Sequence, residues 1–294
     1  VGAATAQFNG QLTVSATLPK ADKAQLQAQI DRANNSADYI KADTAVASAL
    51  SGAKNVVAKP NPTPVEISQA TNDLKQALDA AIAKETAAQA AARTAVDKAK
   101  NSKSPADIRA AEALLAHVQD TDKKSAMQDE LNAVKQEITD ARTALSKLID
   151  KAKNTPTDGL AAETVAALNT AIAAAKAVNN DQESTVAQLT EAKTKLQSAL
   201  DNLKTDKTAL AKAIADADQE PVYIKNDSAV KTALQHAKNV YAAANPTPAE
   251  VNTAVNNLKS AINAAKKKET DAQTAAANAV AAAEGAKTAQ SITA

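Results

Sequence analysis

Asn61-Pro62-Thr63-Pro64-Val65-Glu66 is the stretch that decides the fold, and it returns as NPTPAE at positions 245–250. Thr63 can accept hydrogen bonds from the free N–H groups of a helix start, and Glu66 stands where a capping-box carboxylate reaches back. Pro64 suits the first helical position because that position needs no donor. The stretch therefore predicts that two helices start by one mechanism.

The two copies of this stretch belong to a longer repeat. Positions 61 and 245 differ by 184, and Tyr39-Ile40-Lys41 returns at the same spacing as Tyr223-Ile224-Lys225. Weaker matches such as Val96 with Val280 continue the register. The chain is therefore interpreted as a repeat array. The repeated segment of 184 residues is interpreted as three smaller structural units, and the chain is expected to end inside the second copy of this segment.

The composition favours an all-α fold. The 294 residues are rich in Ala, Leu, Lys, Gln and Glu, with five glycines, one Phe, three Tyr and no Trp. The five abundant residue types are strong helix formers, and residues suited to strands are scarce after residue 20. Each core must therefore be thin and built from Ala, Leu, Ile and Val, which predicts modest stability for each unit.

Charge and cysteine content narrow the classes of function. The 34 basic and 33 acidic residues are interleaved, so no broad positive field exists and nucleic acid is not an expected partner. The absence of cysteine removes disulfides, thiolate metal sites and thiol catalysis. No apolar run approaches the roughly 20 residues that span a bilayer, so no membrane insertion is expected. The chain is interpreted as a fragment without signal peptide or anchor.

Apolar stripes at helical spacing define the units. In the first, Leu26 and Ile30 lie on one helix, Val46 and Ala53 on a second capped by Asp43, and further apolar residues follow Pro64. Three helices with such apolar stripes can pack together as an up-down-up bundle. The predicted domains are a non-helical leader or the end of a preceding β domain (1–20), a three-helix unit (21–85), a divergent three-helix unit (86–142), a third unit (143–204), a copy of the first (205–269), and the truncated start of a copy of the divergent unit (270–294). The second helix of the divergent unit is opened by Ser104-Pro105-Ala106-Asp107, which repeats the capping arrangement of Thr63.

The joints between units contain no turn signals. From Pro64 to about Lys100 the inward positions, including Glu85, keep three-four spacing, and similar continuity holds over 122–153, 184–218 and 248–284. The third helix of one unit is therefore predicted to be the first helix of the next. The resulting expectation is tandem three-helix bundles joined by shared long helices into an elongated, spectrin-like rod. A kink at each joint is the alternative, and Lys207 on the stripe permits it.

Histidines and tyrosines are the first candidates for a binding site. His117 and His236 stand alone on predicted helices with no second His or Cys at i+3 or i+4, so they are interpreted as surface residues and no metal site is expected. Tyr39 and Tyr223 fall at the turn between the first two helices, where a ring can cover the bundle end. A glycan or peptide contact there is the alternative.

Charged clusters give no catalytic constellation. The pair Asp129-Glu130 is interpreted as a solvated helix face, and Lys266-Lys267-Lys268 is too short a basic run to indicate a membrane surface. Five scattered glycines form no phosphate loop. We therefore expect no enzyme activity, no catalytic, metal or cofactor-binding residues and no cofactor. The ligand-binding residues, if any, remain unknown from sequence.

One pattern of residues recurs in the first unit and its copy. It consists of Leu26, Ile30, Ala33, Tyr39, Ala49-Leu50, Ala53, Glu66-Ile67, Ala70, Leu74 and Ala77-Leu78, with Leu210, Ile214, Ala217, Tyr223, Ala233-Leu234, Ala237, Glu250-Val251, Ala254, Leu258 and Ala261-Ile262 as its counterpart. By this pattern, residues 22–85, 143–204 and 206–269 resemble the FIVAR module, a three-helix repeat of large surface proteins and some secreted carbohydrate-active enzymes of Gram-positive bacteria. In one departure, Ile40 follows the tyrosine where the family often has Thr.

The resemblance implies an extracellular, cell-surface or cell-wall-associated protein and brings no catalytic residues. The expected function is a stalk or spacer in an adhesin-like protein that projects a functional domain from the cell wall, and a monomer is expected. The alternative is an adhesive module that binds a host protein such as albumin, immunoglobulin or an extracellular matrix component, or a glycan.

Overall fold

The structure, a computed structural model, describes residues 22–293, and the predicted leader at 1–20 lies outside them. The described part is all-α, as predicted, and contains no β-strand. Its helices are α1 (Ala24–Asn34), α2 (Asp38–Lys41), α3 (Thr44–Ala58), α4 (Pro64–Ser102), α5 (Pro105–Leu115), α6 (Thr121–Lys153), α7 (Ala162–Asn180), α8 (Val186–Asp201), α9 (Thr208–Asp218), α10 (Val222–Lys225), α11 (Ser228–Ala242) and α12 (Pro248–Thr293).

The chain divides into two compact units, one ending at Gln136 and the other beginning at Glu137. The first unit holds α1 to α5 and the first part of α6. One core forms where α1 and α3 pack against the start of α4, and its fully buried side chains are Leu26, Ala33, Val46, Ala53, Leu74 and Leu78. The predicted inward positions of the first bundle are confirmed at these residues.

Further along α4, a second set of apolar residues packs with α5 and α6. Its buried members are Ala92, Val96 and Ala99 of α4, Ile108, Ala111 and Leu115 of α5, and Met127, Leu131 and Val134 of α6. Leu114 is 39% exposed, because Ala111 and Leu115 occupy the buried side of α5.

The second unit contains two further cores. The end of α6 packs with α7 and α8, and the buried residues there are Leu145, Leu148, Ile149, Leu168, Ile172, Leu189 and Leu196. Helices α9, α11 and α12 share another core around Leu210, Val230, Ala237, Leu258 and Ile262.

The capping box at the start of α4 is confirmed. The Thr63 hydroxyl accepts from the Glu66 N–H at 3.2 Å, and the Glu66 carboxylate accepts from the Thr63 N–H at 2.8 Å. Hydrogen bonds from Lys59 first and from Thr63 next lower the pKa of Glu66 to about 2. The same geometry recurs at Thr247, where the Glu250 carboxylate accepts from the Thr247 N–H at 2.8 Å.

The similar start predicted for α5 is wrong in its capping residue. Ser104 is the N-cap residue, but its side chain makes no capping hydrogen bond. Asp107 instead forms an ion pair with Lys98 at 2.9 Å. The neighbouring Ser102 hydroxyl first, and Lys98 next, lower the pKa of Asp107. The acidic residue of this turn therefore links α5 to α4.

Replacing Thr63 by alanine should destabilise the first turn of α4 by about 1 kcal/mol, because two reciprocal capping bonds are lost. Native-state hydrogen exchange at Glu66 and Ile67 should accelerate by about fivefold. Thr86→Ala is the matched control, since the Thr86 hydroxyl only bonds the Ile82 carbonyl within the helix and should change little. Equal effects of the two substitutions would contradict the capping role.

Three of the four predicted continuous helices are confirmed by α4, α6 and α12, which run unbroken through 64–102, 121–153 and 248–293. The fourth prediction, a helix through 184–218, is wrong. Helix α8 ends at Asp201 and α9 begins at Thr208, with a short non-helical segment between them. The contacts that explain this break form one of the two junctions described next.

Candidate functional site

The junction between the first two bundles is built around Glu85 of α4. This residue is only 6% exposed. Its carboxylate accepts from the Gln119 N–H at 3.0 and 3.1 Å and from the Asp120 N–H at 3.0 Å. The Gln89 amide of the same helix donates at 2.8 Å. One side chain thereby ties α4 to the segment that connects α5 with α6.

Opposing effects act on the pKa of Glu85. Burial raises it, but hydrogen bonds from Gln89 and from the N–H groups of Asp120 and Gln119 outweigh burial. The pKa of Glu85 therefore lies below its ordinary value, and the group is a carboxylate at neutral pH. Its role here is that of a charged acceptor for backbone donors.

A second ionic contact joins α4 to α6. Arg93 donates two parallel hydrogen bonds to the Glu130 carboxylate at 2.7 and 2.9 Å, and Lys100 donates another at 2.6 Å. Hydrogen bonds from Arg93 first and Lys100 next lower the pKa of Glu130 to about 2. The interpretation of Asp129-Glu130 as one solvated face is therefore wrong for Glu130, whereas Asp129 is exposed.

The same junction brings Tyr39 and His117 together. Both line an open cleft of about 280 Å³, together with Asp43, Lys84 and Gln119. His117 lies in the turn after α5 and not on a helix as predicted. Burial first, and then the negative charges of two neighbouring carboxylates, raise the pKa of the Tyr39 phenol. The counterpart Tyr223 is 57% exposed.

The junction between the bundles of the second unit uses backbone pairing. Leu160 and Thr205 form an isolated antiparallel bridge. The Ala161 N–H donates to the Lys204 carbonyl at 2.7 Å, and the Asp206 N–H donates to the Gly159 carbonyl at 2.9 Å. These bonds hold residues 202–207 out of helical geometry, which is why α8 and α9 are separate helices.

Thr205 and Lys207 extend this junction to the ends of α11 and α12. The Thr205 hydroxyl donates to the Pro246 carbonyl at 2.6 Å. The Lys207 ammonium donates to the carbonyls of Tyr241 and Ala243 at 2.8 and 2.6 Å, and so caps the end of α11. Lys23 makes the equivalent bonds in the first bundle. The lysine on the predicted stripe thus serves as a helix cap.

Gly159 is required by its conformation and by its neighbour. Its φ is +73°, and an added Cβ would lie 2.8 Å from Pro248 Cβ. We expect Gly159→Ala to destabilise the junction by about 2 kcal/mol, because it combines a left-handed backbone with a steric clash. The measurement is native-state hydrogen exchange at Ala161 and Asp206, which should accelerate.

Gly52→Ala is the matched control for this substitution. Gly52 lies inside α3, and nothing lies within 4 Å of an added Cβ. Alanine there should stabilise α3 by about 0.5–1 kcal/mol, since it reduces the entropy of the unfolded chain. Faster exchange after both substitutions would argue against a specific requirement for glycine at the junction.

The remaining predicted site residues are dispersed. His236 is exposed on α11. Each lysine of the run 266–268 has an acidic partner, and these partners are Glu220, Asp271 and Asp227 respectively. Within residues 22–293 no group of three or more His, Cys, Asp or Glu side chains could hold a metal ion. No helix in the same range has the length and apolar character needed to cross a membrane.

Sequence reasoning placed Glu85 on the buried stripe but assigned it no role. The signal was available, because a carboxylate at a core position must find donors. The paired segments around Leu160 and Thr205 carry no comparable signal, since their contacts are between backbone groups far apart in the chain.

Comparison with known proteins agrees with this architecture. Residues 22–81, 141–204 and 206–266 match the FIVAR domain, and these are the three regions where the resemblance was predicted. The matched residues make up more than half of the chain. A search of curated proteins and a search of solved structures each found no match. The chain therefore belongs to the FIVAR domain family, whose domains are found in bacterial surface proteins.

Proposed function

We propose that this chain is a non-enzymatic spacer region of an extracellular, cell-wall-associated bacterial protein, and that it holds a functional domain away from the cell. The observation that carries the proposal is the shared helix α4. It serves the first bundle with its N-terminal half and the next bundle with its C-terminal half, so no flexible linker separates them.

The physical argument concerns stiffness. At 1.5 Å per residue the 39 residues of α4 form a rod about 60 Å long. Bending it at the joint would break main-chain hydrogen bonds and separate Glu85 from its donors, whereas a Gly/Ser-rich linker would bend freely. In a spacer with such joints, each added module would increase the distance that the spacer spans.

The charged residues of the junctions have structural partners in this proposal. Glu85 and Glu130 are held by backbone N–H groups and by Arg93 and Lys100. A general acid or base must exchange a proton with a substrate. The Glu85 and Glu130 carboxylates are occupied by hydrogen-bond donors of the protein, which supports a structural role for both.

Small-angle X-ray scattering of the full chain tests the proposal. A compact globule of 294 residues would have a radius of gyration of about 19 Å. We expect a clearly larger value and a linear cross-section region typical of a rod. A radius near that of the globule would contradict the spacer function, and a large radius without the cross-section region would indicate hinged bundles.

A groove on the first bundle favours a second candidate function, an adhesive module. An open groove of about 750 Å³ runs between α3 and α4 over Ala49, Gly52 and Ala53, and Val65 beside it is 76% exposed. Small residues on the floor leave room for a partner side chain. Binding of albumin, immunoglobulin, matrix proteins or glycans by the full chain, abolished by Gly52→Leu, would support adhesion over a spacer role.

A further inference from the structure

Helix α12 carries a second copy of the surface that α4 uses to bind α5 and α6. The buried positions of α4 in this region are Glu85, Ala92, Val96 and Ala99. At a separation of 184 residues, α12 has Glu269, Ala276, Val280 and Ala283. All four residue types are identical. We call these four residues of α12 the α12 face.

On α4 the corresponding face is fully covered. Ala92, Val96 and Ala99 are each 0% exposed. The covering residues include Ile108 of α5 and Leu131 of α6, which are buried as well. Apolar burial and the Glu85 hydrogen bonds therefore act together in this interface.

On α12 the apolar part of the face is exposed. Residues 271–287 are all exposed, and Val280 is 57% exposed whereas its counterpart Val96 is buried. The hydrogen-bonding part is already arranged, because the Gln273 amide donates to the Glu269 carboxylate at 2.8 Å. Gln89 donates to Glu85 at the same distance. The acceptor geometry found in α4 therefore exists in α12 before any partner is bound.

Three charged residues of α4 that pair with α5 or α6, namely Arg93, Lys98 and Lys100, are not kept on α12, where Ala282 replaces Lys98, the partner of Asp107. The two positions that hold Glu130 define the partner. Arg93 and Lys100, which hold Glu130, are replaced on α12 by Ala277 and Glu284. An acidic residue at the position of Glu130 would lose both cations and meet a carboxylate. A basic residue at that position would be attracted to Glu284 instead.

We propose that the α12 face is a docking surface for two consecutive helices built like α5 and α6, with a basic residue in place of Glu130. The segment between the two helices donates backbone N–H groups to Glu269, as Gln119 and Asp120 do to Glu85. The apolar stripes of the two helices cover Ala276, Val280 and Ala283. The surface is thus the part of a three-helix bundle that one of its helices supplies, and the inference does not depend on the spacer function.

The test joins this partner to the chain and measures access to the face. Residues 104–142 with Glu130→Lys are fused after Lys287, the position equivalent to Lys103. The chain has no cysteine, so Val280→Cys provides a single thiol. We expect a maleimide to label Val280→Cys at least tenfold more slowly in the fusion than in the unfused chain. Equal rates would overturn the proposal.

Thr274→Cys is the matched control, because Thr274 occupies the position of Ala90, which is exposed on α4. It should react at the same rate with and without the fusion. Hydrogen exchange of residues 276–287 in the cysteine-free fusion provides a second measurement that does not alter Val280. Protection there is expected to increase at least tenfold, and unchanged protection would overturn docking.

Two further variants test the chemistry of the partner. The fusion that keeps Glu130 should protect Val280→Cys less than the fusion with Glu130→Lys, and equal protection would overturn the assignment of a basic residue. Glu269→Ala in the fusion should restore part of the labelling. Protection of Val280→Cys in the unfused chain that grows with protein concentration would identify a second copy as the occupant and overturn the assigned partner.

Discussion

Glu85→Ala should destabilise the junction of the first unit by about 3 kcal/mol, because it leaves the backbone N–H groups of Gln119 and Asp120 without their charged acceptor. Hydrogen bonds to a buried carboxylate are stronger than neutral ones, and two backbone donors lose their acceptor at once. Hydrogen exchange at Gln119 and Asp120 should accelerate by roughly a hundredfold. Exchange in the core of the first bundle, for example at Leu74, should change much less.

Two substitutions provide controls for this result. Glu85→Gln keeps an oxygen acceptor and should cost about 1 kcal/mol. Glu269→Ala removes the counterpart in α12, whose carboxylate accepts from Gln273 of its own helix, and should have an effect of about 0.5 kcal/mol or less. If Glu85→Ala were no worse than Glu269→Ala, the junction would not depend on the carboxylate.

The same contribution should depend on pH. The folded pKa of Glu85 lies below the ordinary value of 4.5, so its carboxylate stabilises the folded state above that value. The contribution should fall as the pH drops below about 4.5 towards the folded pKa. The exchange difference between the natural chain and Glu85→Gln is the measurement. It should be nearly constant from about pH 5 to 7, where the carboxylate is ionised in the folded and the unfolded chain, and shrink in more acidic solution.

Ala87→Pro should have the second large effect, a destabilisation of about 3 kcal/mol or more at the shared joint. Ala87 is exposed in the middle of α4, so the substitution changes no core contact. Proline removes the N–H that bonds to the preceding turn, and its ring clashes with the carbonyl there. Hydrogen exchange of α4 between residues 83 and 91 should accelerate. The scattering curve should also lose the cross-section region that the spacer proposal expects of the natural chain.

Ala87→Gly separates the proline effect from simple loss of helix propensity, since it should cost only about 1 kcal/mol. Asp271→Pro places the same residue at the equivalent position of α12. Its effect should be confined to the exposed part of α12 and leave exchange at Leu258 unchanged. A scattering curve that is unaltered by Ala87→Pro would show that α4 does not set the stiffness of the chain.

The helices and their buried faces were largely predictable because the signals are local. Apolar spacing, Asp43 and Thr63 as caps, and the absence of turn residues placed α3, α4 and α12 close to their observed bounds. The break before α9 was considered only as the alternative of a kink, which Lys207 permits, since its cause is backbone pairing with Leu160, about 45 residues away in sequence. Apolar periodicity alone continues through residues 202–207 and contains no trace of that pairing.

The junctions were predicted less well than the bundles. Glu85 occupied an inward position in the sequence pattern, yet its donors are main-chain groups that any residue type could supply. His117 was placed on a helix because its neighbours favour one, whereas α5 ends at Leu115. Tyr39 and His117 come from different bundles, so only the folded chain could bring them to one cleft.

The shared helix also determines how the chain should respond to tension. Pulling on α4 loads two bundles through one continuous backbone, so unravelling one bundle removes a wall of the other. The two should therefore rupture together as a single long extension step. The junction at Leu160 and Thr205 is held by a few backbone hydrogen bonds and should yield at lower force. Single-molecule stretching would then show two kinds of event. The junction at Leu160 and Thr205 would open first at low force, and the two bundles that share α4 would unfold together at higher force.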